Sequence, residues 1–210
     1  MNPIFEFFFG QYAGYETIDI VLEAVAIIFG FLSVWFSKQN KVLVFPTGMI
    51  STVIFVYLLL KWQLLGDMMI NAYYFVMSVY GWYIWTKKVD DSEVTPISTT
   101  TFNEKKISIA IFLATLLFVY LVYQSFDKWT SWVAYVDTVT TAIFFVGMWL
   151  MARRKLENWI FWIIGDIISV PLYFHKGFTL TSLQYLLFTG IAIFGYLAWK
   201  KNISNNLQTA

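Results

Sequence analysis

The chemistry in this chain centres on a single carboxylate in an apolar run. Asp166 lies in ENWIFWIIGDIISVPLY (157–173), a stretch uncharged from 158 to 165 and again from 167 to 174. A helix through this stretch carries Asp166 close to the midplane of a bilayer. A carboxylate there costs at least ~2.5 kcal/mol on insertion scales, so it faces protein, water or a ligand. At helical spacing Trp159, Trp162, Asp166, Ser169 and Tyr173 share one face, which leaves Ile160, Ile163, Ile164 and Ile167 for lipid or neighbouring helices. Such a face can stack flat rings, cationic ones by up to ~2 kcal/mol when desolvated. The carboxylate compensates a fixed positive charge, and hydroxyls and amides read hydrogen-bonding arms. The competing reading is a structural Asp, paired with a Lys or capped by hydroxyls; no Lys or Arg lies at similar depth in the sequence. Pro171 cannot donate to the carbonyl of Ile167, which predicts a kink one turn beyond Asp166.

Two further faces could contribute. Asn71, Tyr74, Ser78, Trp82 and Trp85 align on one helical face, and Thr181, Gln184, Phe188, Gly195 and Trp199 roughly mirror it. An amide such as Asn71 or Gln184 both donates and accepts, which suits a sugar hydroxyl or a carboxamide. The plainer reading is interhelical glue, worth ~0.6 kcal/mol per contact, and Trp82, Trp85 and Trp199 fit an interfacial belt. Glu23 and Asp137 sit about a turn inside their spans, where they either form a cation entrance or cap helices. No nucleophile–base pair is legible: His175, the one histidine, falls in the turn FHKGF, away from any Ser inside the membrane. There is no phosphate-cradling Gly-rich loop. With no cysteine and one histidine, no metal site is expected, nor any cofactor. The chain does not read as an enzyme.

These residues need helices in a membrane to hold them. Of 210 residues 59% are hydrophobic, 21% aromatic and only 13% charged, too apolar for a soluble domain of this size. Seven apolar runs, at 18–37, 42–60, 65–86, 107–126, 131–152, 157–174 and 179–199, each match the ~20 residues a bilayer needs. The segment KKVDDSEVTPISTTTFNEKK reads as an exposed polar loop, the tail NISNNLQTA as frayed, and IFEFFF near the N-terminus as interfacial. Eleven of the 14 Lys and Arg fall in alternate connectors and the tail, against Lys61, Lys128 and Lys176 in the others. The positive-inside rule then predicts the N-terminus outside and the C-terminus in the cytoplasm.

The two ends of the chain also resemble each other. An offset of 117 places Gly30, Lys38, Phe45 and Gly48 on Gly147, Lys155, Trp162 and Gly165. An offset of 114 places GWYIWTKK, with Gly81, Trp85 and Lys87, on GYLAWKK, with Gly195, Trp199 and Lys201. The expected fold is an all-α membrane protein with seven transmembrane helices in a 3+1+3 arrangement of two parallel three-helix repeats, as in small transporters that bind substrate between their halves. Its divisions are an N-terminal interfacial segment (1–17), a first repeat (18–86), a loop and linker helix (87–130), a second repeat (131–201) and a tail (202–210).

NWIFWIIGDIISVPLYFHKGFTLTSLQYLLFTGIAIFGYLAW (158–199), FPTGMIS (45–51) and SVYGWYIW (78–85) together resemble the PnuC family of bacterial vitamin transporters, from about Asp19 to Lys201. The resemblance implies a homotrimer of the inner membrane that takes up nicotinamide riboside by facilitated diffusion, with a cytoplasmic kinase trapping the product. It carries the binding face onto Trp159, Trp162, Asp166, Tyr173 and Gln184, with Asn71 and Tyr74 from the other half. Phe45, where a Trp is expected before Pro-Thr-Gly, and Asn71, where relatives often have Gln, depart from the pattern. Thiamine and riboflavin carriers of the same fold are the alternatives; thiamine, too, is a flat cation. A proton-coupled symporter or membrane enzyme using Asp166 is the reading from another class.

Overall fold

The computed structural model describes residues 14–62, 65–90, 93–127, 129 and 131–209. The interfacial reading of residues 1–13, and Lys128, lie outside the described residues. Among these residues seven α-helices follow one another: α1 (Thr17–Lys38), α2 (Val44–Lys61), α3 (Leu65–Thr86), α4 (Phe102–Ser125), α5 (Trp132–Ala152), α6 (Asn158–His175) and α7 (Thr179–Thr209). A short antiparallel ribbon, β1 (Lys88–Asp90) and β2 (Glu93–Val94), interrupts the run between α3 and α4. Five helices are long and apolar enough to cross a membrane by length and composition. The other two, α3 and α6, carry Asn71 and Asp166. Ile160, Ile164 and Ile167 are exposed on α6, which is where a lipid-facing stripe belongs. The chain is a multi-pass membrane protein.

Helix neighbours are set by short connections. α1 packs on α2 and α2 on α3; α5 packs on α6 and α6 on α7; the two groups meet through α1 with α7 and α3 with α5, and α4 lies on α5. This adjacency is compatible with a 3+1+3 arrangement. One end of the bundle is basic, carrying Lys38, Lys41, Arg153, Lys155 and Lys200. The other carries Glu16, Asp19 and Asp67.

The α1–α2 and α5–α6 turns at the basic end have the same backbone. Asn40 and Arg154, 114 positions apart, both take φ 56°. Lys41 N–H donates to Phe36 O and Lys155 N–H to Leu150 O, each at 2.9 Å. The offset of 117 expected for the first two helices is therefore corrected to 114. The glycines misled because a tight helix seam needs one small residue per contact and either helix can supply it. A Cβ on Gly30 would meet Ser51 Oγ at 3.2 Å; at the matching positions 144 and 165 the small residue is Gly165, under the ring of Phe144.

The segment after β2 is not an exposed loop. Residues 95–101 are strapped along the α5–α6 turn: Ser98 N–H donates to Arg154 O at 3.1 Å, Leu156 N–H to Ser98 O at 2.9 Å, and Thr100 N–H to the Glu157 carboxylate. Arg154 reaches back to Thr95 O and lies over the Trp85 ring at 4.3 Å. Burial pulls its guanidinium down to about 10, so it remains charged at neutral pH. Ile97 is buried in the basic-end core. α4 then starts at Phe102, earlier than 107, because Thr101 and Glu104 form a reciprocal capping box. The tail is not frayed: α7 continues through 202–209, with Ile203 packed against the same core.

Candidate substrate site

α6 runs unbroken through Pro171 to His175, and its inward face is the one set by the steps of three and four. Asp166 is 3% exposed and Ser169 1%. Among the described residues no cation pairs with Asp166: the ion pairs are Lys61 with Glu16 and Asp19, Arg153 and Lys155 with Glu104, and Lys176 with Asp137. A buried carboxylate without a counter-ion is costly unless something else supplies the positive charge. Asp166 is within electrostatic reach of Tyr74 and Tyr185.

Aromatic rings surround this carboxylate. Tyr73 of α3 stacks on Phe145 of α5 at 3.8 Å and 8° and donates its hydroxyl to Phe145 O at 3.0 Å. Tyr74 stands 6.3 Å from Trp162, Trp162 stands 5.5 Å from Phe144, and Phe144 lies 6.0 Å from Tyr185, nearly parallel. Tyr173 completes the series 5.0 Å from Tyr185. Trp162 takes its place because Gly147 on α5 leaves room for the indole. Rings from α3, α5, α6 and α7 thus meet around one acid.

The basic end of this chamber is closed. Phe45 meets Trp85 edge-on at 5.0 Å and 89°, Trp159 meets Trp199 edge-on at 5.5 Å and 88°, and Trp85 lies 5.8 Å from Trp199. Phe45 and Trp159 are 0% and 2% exposed. They form a floor below Trp162 rather than standing beside Asp166. At the acidic end Lys176 Nζ binds Asp137 at 2.7 Å, lies 4.8 Å from the Tyr173 ring centre, and is within electrostatic reach of Asp67. Asp137, one of two carboxylates weighed as an entrance, is thus bound to a cation at this mouth.

The amides are less engaged. Asn71 donates to Asp67 O of its own helix at 3.0 Å, and Gln184 is half-buried with no hydrogen bond to a described residue. The structure gathers Trp162, Asp166, Tyr173 and Tyr74, sets Ser169 one turn along the same face, and places Phe45 and Trp159 below. Sequence reasoning missed Tyr73, Phe144, Phe145 and Tyr185. Tyr185 had a legible signal: Thr181, Tyr185, Phe188, Ala192, Gly195 and Trp199 follow helical spacing more closely than Gln184 does.

Residues 20–201 match the model of a family described as nicotinamide mononucleotide transporter. The chain belongs to the nicotinamide mononucleotide transporter family. As a member it is a membrane transporter and not an enzyme. The nicotinamide riboside transporter PnuC of Escherichia coli (strain K12) is 25% identical over 201 residues, covering 85% of this chain and 84% of that protein. PnuC of Neisseria mucosa is 25% identical over 199 residues, 90% of this chain and 75% of that protein. The riboflavin/roseoflavin transporter RibM of Streptomyces davaonensis is 26% identical over 136 residues, 61% of each chain. A crystal structure of the vitamin B3 transporter PnuC shares the fold, with a TM-score of 0.67 at 24% identity over 90% of this chain and 84% of that one.

Proposed function

We propose that this chain carries nicotinamide riboside across the inner membrane by facilitated diffusion, with the N-terminus outside, the basic end in the cytoplasm and a cytoplasmic kinase trapping the product. The carrying observation is Asp166, buried with no counter-ion among the described residues and set among Tyr74, Trp162, Phe144 and Tyr185. A flat pyridinium ring supplies the missing charge and stacks on the aromatic walls, while its ribose hydroxyls find Ser169, Tyr173, Gln184 and Asn71. Phe45 and Trp159 support the site from below.

The matched turns at positions 40 and 154 support two parallel repeats, residues 18–86 and 131–201, joined by α4. The Lys and Arg at the basic end support the orientation. Assembly as a homotrimer is carried over from the family resemblance. The relative RibM favours a second reading, riboflavin transport; riboflavin is neutral and would leave Asp166 uncompensated.

Calorimetric binding of nicotinamide riboside, thiamine and riboflavin to the purified protein tests the substrate. Nicotinamide riboside binds most tightly on this account. Tighter riboflavin binding would overturn it, and tighter thiamine binding would keep the cation and change the vitamin. Uptake into proteoliposomes should be indifferent to a pH gradient; accumulation driven by that gradient would make the protein a symporter.

A further inference from the structure

α3 and α4 both pack on α5 without closing on each other. The space between them is a cleft of about 400 Å³ walled by Tyr73 and Met77 of α3 and Ile111 and Phe118 of α4, with Phe145 and Trp149 of α5 as its floor. Its two hydroxyls already donate within the protein: Tyr73 to Phe145 O at 3.0 Å, and Thr115 to Ile111 O at 2.8 Å. Apart from the indole N–H of Trp149, no side chain on these walls has a donor left for a polar solute, so the cleft suits hydrocarbon.

Its basic end is of opposite character. One turn past Met77 on α3 is Tyr80, and two turns before Ile111 on α4 is Glu104. Arg153 joins them, its Nη1 donating to Tyr80 Oη at 3.1 Å and its Nε to Glu104 Oε1 at 3.0 Å. Two of the five N–H groups of the guanidinium are thereby engaged, and the side chain is 36% exposed. Glu104 is shared, since Lys155 binds its other oxygen at 3.1 Å, so Arg153 is only partly neutralised. Lys105 and Lys106 are exposed beside it on α4.

We propose that this cleft is a binding site for an anionic phospholipid, one acyl chain lying between α3 and α4 and the phosphate on the guanidinium of Arg153. A planar guanidinium with free N–H groups matches phosphate oxygens in pairs, and basic pockets between transmembrane helices on the cytoplasmic side are where anionic headgroups bind. The lengths agree. From Ile111 to Phe118 the wall is about 10 Å long at 1.5 Å per residue, within the ~15 Å that is half of a ~30 Å hydrocarbon core. The chain of such a lipid fills the gap that α4 leaves and presses α3, with Tyr73 and Tyr74, against α5. The cleft shares Tyr73 and Phe145 with the rings around Asp166 but is lined by neither Asp166 nor Trp162, and its occupancy does not depend on which vitamin is carried.

The test compares delipidated protein with added phosphatidylglycerol or phosphatidylcholine of identical acyl chains, read by thermal denaturation and native mass spectrometry. Phosphatidylglycerol raises the midpoint and remains bound; phosphatidylcholine does neither. Ala114→Trp, which fills the cleft from an exposed position, and Arg153→Gln each abolish that increment. Ala114→Trp touches no ion pair, so the test stands even if Arg153→Gln folds poorly. Equal increments from both lipids, or phosphatidylglycerol retained by Ala114→Trp, would overturn the proposal. So would disulfide cross-linking between copies carrying cysteine at position 114, which would assign the cleft to a second copy of the chain.

Discussion

Trp199 donates its indole N–H to the carbonyl of Ser37, 162 positions away, at 3.0 Å. Trp85 makes the corresponding bond to Met151 O at 3.2 Å. Trp85 and Trp199 are 114 positions apart, as are Ser37 and Met151, so each group of three helices clasps the other with the same residue in the same way. Both bonds lie beneath the aromatic chamber and seal its basic end.

Trp199→Phe and Trp85→Phe keep a large ring and remove the indole donor, leaving the Ser37 and Met151 carbonyls with only the turn N–H of Asn40 and Arg154. Each should lower stability by about 0.5–1.5 kcal/mol, the net worth of one hydrogen bond. Cysteine labelling of positions lining the chamber, entering from the basic side of a chain that has no native cysteine, should quicken in both. Unchanged labelling in both variants would show that these bonds do not hold the floor shut.

Gly81 and Gly195 make the floor possible. A Cβ at Gly81 would lie 2.2 Å from the Phe45 ring, and one at Gly195 would lie 2.6 Å from the Trp159 ring. Gly81→Ala should cost about 1–3 kcal/mol through overpacking, and Phe45→Leu in the same chain should recover part of that loss. Thermal denaturation of the two single variants and the double variant measures the coupling; strict additivity would contradict the packing described.

Glu104 accepts from Arg153, Lys155 and both the N–H and hydroxyl of Thr101. Glu104→Gln leaves the buried Lys155 without its counter-ion and should loosen the strap over 95–101. Hydrogen exchange is the direct readout. The amides of Ser98, Thr100 and Leu156 should exchange faster, while those in the middle of α2 do not change.

How much of this was legible in advance depended on how local the cause was. The seven helices follow from apolar runs, whose ends were placed within a few residues except where polar residues continue a helix. α4 begins at its Thr101–Glu104 capping box, ahead of the apolar stretch, and α7 continues past Lys201 through a polar stretch in which Ile203 packs on the core. The burial of Asp166 was readable because cost and periodicity agreed on one face. Choosing Tyr185 over Gln184 required the exact rotation of α7. The strap was hidden because its hydrogen bonds run to a turn more than fifty residues away, and no local pattern in STTTFNEKK announces them. The offset of 117 came from matching glycine to glycine, whereas packing conserves the sum of two facing side chains.

The most direct measurement is the affinity of Asp166→Asn for nicotinamide riboside beside that of the unsubstituted protein, by isothermal titration, with expression and oligomer size as controls. The substitution keeps shape and removes charge. Affinity should fall at least tenfold, about 1.4 kcal/mol; equal affinity would contradict the assignment of Asp166 to the substrate's positive charge and return it to a structural role.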